Sequence, residues 1–93
     1  MTIARHFRIK GYVQGVGYRA FVCAHAQALG LSGFVRNRRD QTVEVLAQGS
    51  ATALDALLVV LHQGPPHGRV DEVEVLALDH IEQIADFSIL PTL

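Results

Sequence analysis

The chain has 93 residues, of which 49% are hydrophobic and 18% charged, and its net charge is −1 with histidine neutral. That length fits one domain, residues 1–93, able to fold alone with little stability to spare; the balance is globular rather than disordered, and no global field draws in nucleic acid. The longest apolar run, Leu57 to Leu61, falls far short of the ~18 residues that suggest a membrane span, and the N-terminus has no secretory leader pattern. With a single cysteine, Cys23, no internal disulfide framework is possible, and a cytoplasmic location is expected.

The first predicted element is a strand. Ile3, Phe7, Ile9 and Gly11 alternate with Thr2, His6, Arg8 and Lys10, a period of two that calls for one buried face, with only Arg5 breaking the odd positions. A loop, Val13 to Tyr18, carries two glycines. A helix is predicted over Arg19 to Leu29, with Val22, Ala26 and Leu29 at helical spacing and Gly30 as its stop. Leu31 to Arg38 reads as a second strand, Asp40-Gln41 as a turn, and Thr42 to Gln48 as a third strand with Val43, Val45 and Ala47 on one side, together a hairpin. Ser50 is the candidate N-cap of a second helix whose stripe is Leu54, Leu57, Leu58 and Leu61, and Gly64-Pro65-Pro66 ends it. Arg69 to Leu78 forms a fourth strand and Ile84 to Leu90 a short fifth, with Phe87 and Ile89 on one side. The order βαββαβ plus a terminal strand implies two right-handed crossovers that put both helices on one face. The expected fold is α+β, a ferredoxin-like two-layer sandwich with a mixed, mostly antiparallel sheet, which does not determine activity.

Chemistry is concentrated in Gly11-Tyr-Val-Gln-Gly-Val-Gly-Tyr-Arg19, which joins a strand to a helix start. A helix start offers free N–H groups and a partial positive charge. Gly15 and Gly17 allow successive N–H groups to converge, and Arg19 adds a planar fork of charged donors. Gln14, Gly15, Val16, Gly17, Tyr18 and Arg19 therefore form a candidate phosphate cradle, where a phosphate or sulfate ion would sit. A plain tight turn with a solvated Arg19 explains the same residues about as well. The P-loop pattern is absent. Gly15 to Ala20 does match the dinucleotide fingerprint G-x-G-x-x-A, with Asp40 about twenty residues on, but the strand before Asp40 turns back as a hairpin where that fold needs a helix.

The second segment is Gly33-Phe34-Val35-Arg36-Asn37. If Val35 faces the helices, so does Asn37, and the second strand runs back towards the loop. A carboxamide both donates and accepts, so Asn37 could hold and aim a water; it reads equally well as a turn residue supporting Asp40. Cys23 reads as a small core residue, His25 as a helix-surface residue, and Asp71, Glu72 and Glu74 as a solvated strand edge. His62 and His67 have ligand-like spacing but no cysteine pair beside them, and no metal is expected. Tyr18 could stack on a substrate or pack under the loop.

Together the two segments resemble acylphosphatases. The family's G-x-V-Q-G-V-x-[FY]-R appears as Gly11 to Arg19. Its G-x-V-x-N, D-G turn and V-E-V appear as Gly33 to Asn37, Asp40 and Val43-Glu44-Val45, and its Gly-Pro and F-x-I as Gly64-Pro65 and Phe87-Ser88-Ile89. The resemblance implies a cytosolic enzyme that splits small-molecule acyl phosphates into carboxylate and phosphate, and a monomer is expected. Arg19 matches the catalytic arginine that binds the phosphoryl group, and Asn37 the catalytic asparagine that orients water; neither metal, cofactor nor phosphoenzyme is implied. One departure is Gln41 in place of the turn glycine, which calls for another turn geometry. Two rivals remain. An RNA-binding module would use Phe34 with Arg36, Arg38 and Arg39, but the full aromatic pattern is missing. A regulatory acyl-phosphate-binding domain, as occurs fused in carbamoyl-transfer proteins, is disfavoured by a chain of one domain without zinc-finger cysteines.

Overall fold

In a computed structural model that describes residues 1–93, β1 (Ile3–Tyr12) lies between two antiparallel neighbours, β3 (Val43–Gly49) and β4 (Arg69–Leu78). The period of two acts as expected: Phe7 and Ile9 are fully buried under the helices, while His6, Arg8 and Lys10 point to the open face. β2 (Ser32–Asn37) pairs antiparallel with β3, and β5 (Phe87–Ile89) adds to β2 in parallel, giving the sheet order β4-β1-β3-β2-β5. The helices α1 (Tyr18–Ala28) and α2 (Ala51–Gln63) cover one face: α1 packs on β2 and β5, α2 on β4, β3 and β1. This is the ferredoxin-like sandwich that the sequence implied. No helix is long and apolar enough to cross a membrane.

Each helix is bounded by local chemistry. α1 starts one residue earlier than expected and buries Tyr18, Val22 and Ala26, with Leu29 half-buried at its C-cap. Gly30, at φ 72°, lets its own N–H reach the Gln27 carbonyl and that of Leu31 reach Ala26, the paired bonds of a Schellman stop. In α2 the Ser50 hydroxyl accepts from the Ala53 N–H at 3.1 Å, and Leu54, Leu57 and Leu61 are fully buried, with Leu58 half-buried beside them. β5 is shorter than expected, its ladder with β2 running only from Phe87 opposite Gly33 to Ile89 opposite Val35.

The hairpin turn corrects one expectation. The Gln41 N–H donates to the Arg38 carbonyl at 3.1 Å, and the Arg38 N–H to the Thr42 carbonyl at 2.9 Å. This is a three-residue loop, a type I turn closed by a left-handed residue. That residue is Gln41, at φ 74°. The turn does not switch geometry to suit a side chain; Gln41 takes the glycine conformation, at about 1–2 kcal/mol. Compensation comes from Asp40, whose carboxylate accepts from the Thr42 hydroxyl at 2.6 Å and the Thr42 N–H at 3.1 Å. Those bonds, with Arg8 and Arg38 nearby, hold the Asp40 carboxyl below its ordinary range.

On the open face a buried carboxylate gathers three donors. Glu44 accepts from Arg36 at 2.7 Å and Arg38 at 3.1 Å, and its other oxygen lies 2.7 Å from His6 Nε2. Burial pushes its pKa up, but the bonds from Arg36, His6 and Arg38 outweigh that and pull it from 4.5 down to about 2. The stabilisation is therefore present above pH ~4.5 and is lost as pH falls towards 2, with an upper bound of about 3 kcal/mol. In urea unfolding, Glu44→Gln is expected to be less stable than the parent at pH 7, and the gap is expected to narrow by pH 3; an unchanged gap would refute the linkage.

Candidate active site

β1 ends at Tyr12, and the loop that follows turns back into α1 through two left-handed glycines, Gly15 at φ 75° and the N-cap Gly17 at φ 81°. A Cβ at either position would meet open space, so glycine is needed for the backbone conformation and not for lack of room. No side chain caps α1 and its first turn has no acidic residue, so its leading N–H groups stay available. A cavity of about 210 Å³ opens there, walled by Val13, Gly15, Gly17, Tyr18, Arg19, Ala20 and Ile89.

Arg19 stands out among the seven arginines. Arg5, Arg8, Arg36, Arg38 and Arg69 are all taken up in ion pairs within the fold. Arg19 and Arg39 enter no ion pair, and of the two it is Arg19 that borders the cavity, at the first turn of α1. A free guanidinium beside unpartnered N–H groups forms an electropositive concavity suited to an oxyanion. Of the three arginines on which the RNA-binding alternative leaned, Arg36 and Arg38 are occupied by Glu44 and Arg39 is not, and Arg36 also stacks on Phe34 at 5.0 Å.

The remaining loop residues divide by function. Tyr18 is buried, and its hydroxyl donates to the Leu61 carbonyl at 2.8 Å, tying α1 to α2; burial raises its pKa strongly. Its ring thus packs beneath the loop. Val16 is half-buried against the core. Gln14 uses both amide hydrogens, donating to the carbonyls of Arg38 at 2.7 Å and Thr42 at 2.9 Å. Its side chain thereby fastens the loop to the hairpin that carries Asn37, and only its main chain is left to face an anion. Nothing in its spacing signals that tie.

Asn37 closes β2 on the helix-facing side, opposite Val43 and two residues beyond Val35. It is 9% exposed, and its Oδ1 is buried without a hydrogen-bond partner. An acceptor of this kind costs about 1–3 kcal/mol for as long as no partner reaches it. Asn37 does not itself line the 210 Å³ cavity; the Gln14 tie brings its hairpin to the loop. Ile89, which the sequence placed on one side of the fifth strand with Phe87, forms part of the cavity wall.

The acylphosphatase family profile matches residues 5–89. The chain belongs to the acylphosphatase family. A family member from Acidovorax sp. (strain JS42) is 54% identical over 74 residues, 80% of this chain and 76% of that one. One from Rhodopseudomonas palustris (strain BisB18) is 45% identical and covers 99% of this chain and 98% of its own. The crystal structure of acylphosphatase from Bacillus subtilis superposes with a TM-score of 0.92 at 35% identity, over 95% of this chain and 98% of that one. This chain is thus an enzyme of the acylphosphatase family in sequence as well as in fold.

Proposed function

We propose that the protein hydrolyses the carboxyl-phosphate bond of small-molecule acyl phosphates, with the phosphoryl group in the cradle of Gln14, Gly15, Val16, Gly17, Tyr18 and Arg19 and the attacking water aimed by Asn37. The observation that carries this proposal is the pairing of an uncommitted Arg19 with the uncapped start of α1 around one cavity. The buried, partnerless Oδ1 of Asn37, on a hairpin fastened to that loop, supports the water's position.

Phosphoryl transfer depends mainly on placement and on stabilising charge at the equatorial oxygens, and a carboxylate is already a good leaving group. Main-chain N–H groups and Arg19 hold those oxygens in a preorganised field. The Asn37 carbonyl accepts a hydrogen from the water, directing its lone pair at phosphorus. A water-oxygen–phosphorus bond forms, the phosphorus–acyl-oxygen bond breaks, the carboxylate departs, and both protons of the water remain with the phosphate. Neither a covalent enzyme intermediate nor a metal is part of this proposal. The acting unit is the 1–93 domain as a monomer, in the cytoplasm, where the single half-buried Cys23 stays reduced.

Phosphate release from benzoyl phosphate in the presence of EDTA tests the proposal. Turnover is expected to be unaffected by EDTA and inhibited competitively by inorganic phosphate. An absence of turnover, or its loss on chelation, would refute the assignment.

A further inference from the structure

We propose that Ile89 and Ala20 seat the acyl group, so that the site favours acyl phosphates whose acyl part is uncharged and apolar; this rests on the activity proposed above. The two ends of β5 have different environments. Phe87 is buried beneath α1, where its carbonyl accepts from the Gln27 amide at 3.1 Å. Ile89, two residues on and therefore on the same side, is 43% exposed and meets the cavity. Its register partner on β2 is Val35, one step before Asn37 on the same face. Ile89 thus presents a branched apolar surface beside the phosphate loop.

The cavity, about 210 Å³, is larger than one tetrahedral phosphoryl group, and its walls differ in character. Its lining combines Gly15, Gly17 and Arg19 with the apolar side chains of Val13, Ala20 and Ile89. Arg19 is the only charged side chain among them. With the phosphate held by Arg19 and the loop, a charged acyl group would find no partner, whereas a ring or alkyl chain would cover Ile89 and exclude water from the reacting bond.

The test compares the parent with Ile89→Ser and Ile89→Thr, the latter keeping the β-branched shape suited to a strand. KM for benzoyl phosphate and acetyl phosphate is measured, along with inhibition by inorganic phosphate. Both variants are expected to raise the benzoyl-to-acetyl KM ratio, by about 5–10-fold for Ile89→Ser, less than a fully enclosed pocket gives. Phosphate inhibition is expected to stay within about twofold, because hydrogen bonds and charge, not apolar contact, hold the ion. A ratio unchanged in both variants, with the parent active on both substrates, would overturn the acyl seat and leave the proposed activity standing. A parent that hydrolyses neither substrate would overturn both.

Discussion

Arg19→Ala is expected to lower kcat/KM for benzoyl phosphate by at least ~10²–10³-fold, with a large share of the loss in KM and a matching loss of phosphate inhibition. Removal of one preorganised oxyanion donor typically has that effect on the rate. Here the donor is also the only charged side chain walling the cavity, so ground-state binding falls with it. Lysine is not an equivalent replacement, since a point charge cannot bridge two phosphate oxygens as a planar fork does. The fold is expected to survive, because Arg19 enters no ion pair and the burial of α1 rests on Tyr18, Val22 and Ala26. Parent-like kinetics in Arg19→Ala would remove the centrepiece of the proposed site.

Asn37→Ala is expected to lose rate to a comparable degree, on the order of 10²–10³-fold in kcat, while KM and phosphate inhibition change little. Water aimed by a carboxamide contributes to the barrier and not to the affinity for phosphate. Stability separates this from a merely structural role. The Asn37 Oδ1 makes no hydrogen bond within the protein, so deleting it breaks no internal bond at that oxygen. Asn37→Ala is therefore expected to stay folded and to melt near the parent temperature. A variant that is slow because it is partly unfolded, or one as fast as the parent, would contradict the water-orienting role.

The backbone plan was legible because each element is written locally. The alternation through Phe7 and Ile9, the helical spacing of Val22 and Ala26, and the stops at Gly30 and Gly64-Pro65 each act over a few residues. The cradle's glycines were legible for the same reason, since a left-handed backbone at Gly15 and Gly17 is a local demand. What escaped the sequence is nonlocal. Gln14 reaches across 24 and 28 positions to Arg38 and Thr42, and His6 meets Glu44 across 38. No periodicity encodes those distances. Ile89 was assigned to the right strand and side, but period alone does not tell where a strand runs out from under its helix. Gln41 shows the reverse error: the residue type argued for a new turn, while the surrounding hydrogen bonds kept the old one and imposed the strain on the side chain.

That turn also governs which way the chemistry points. β1 and β2 are not neighbours; β3 lies between them, so β2 is set in register with β1 through the β1–β3 and β2–β3 ladders. Sliding the ladder by a single residue would reverse the facing of every side chain on β2. The carboxamide of Asn37 would then look out from the helix-free side of the sheet, and Val35, fully buried in the core, would turn out with it. The Asp40–Thr42 bonds close the loop that joins the two strands of this ladder, and Gln41 takes up its left-handed backbone at that same place.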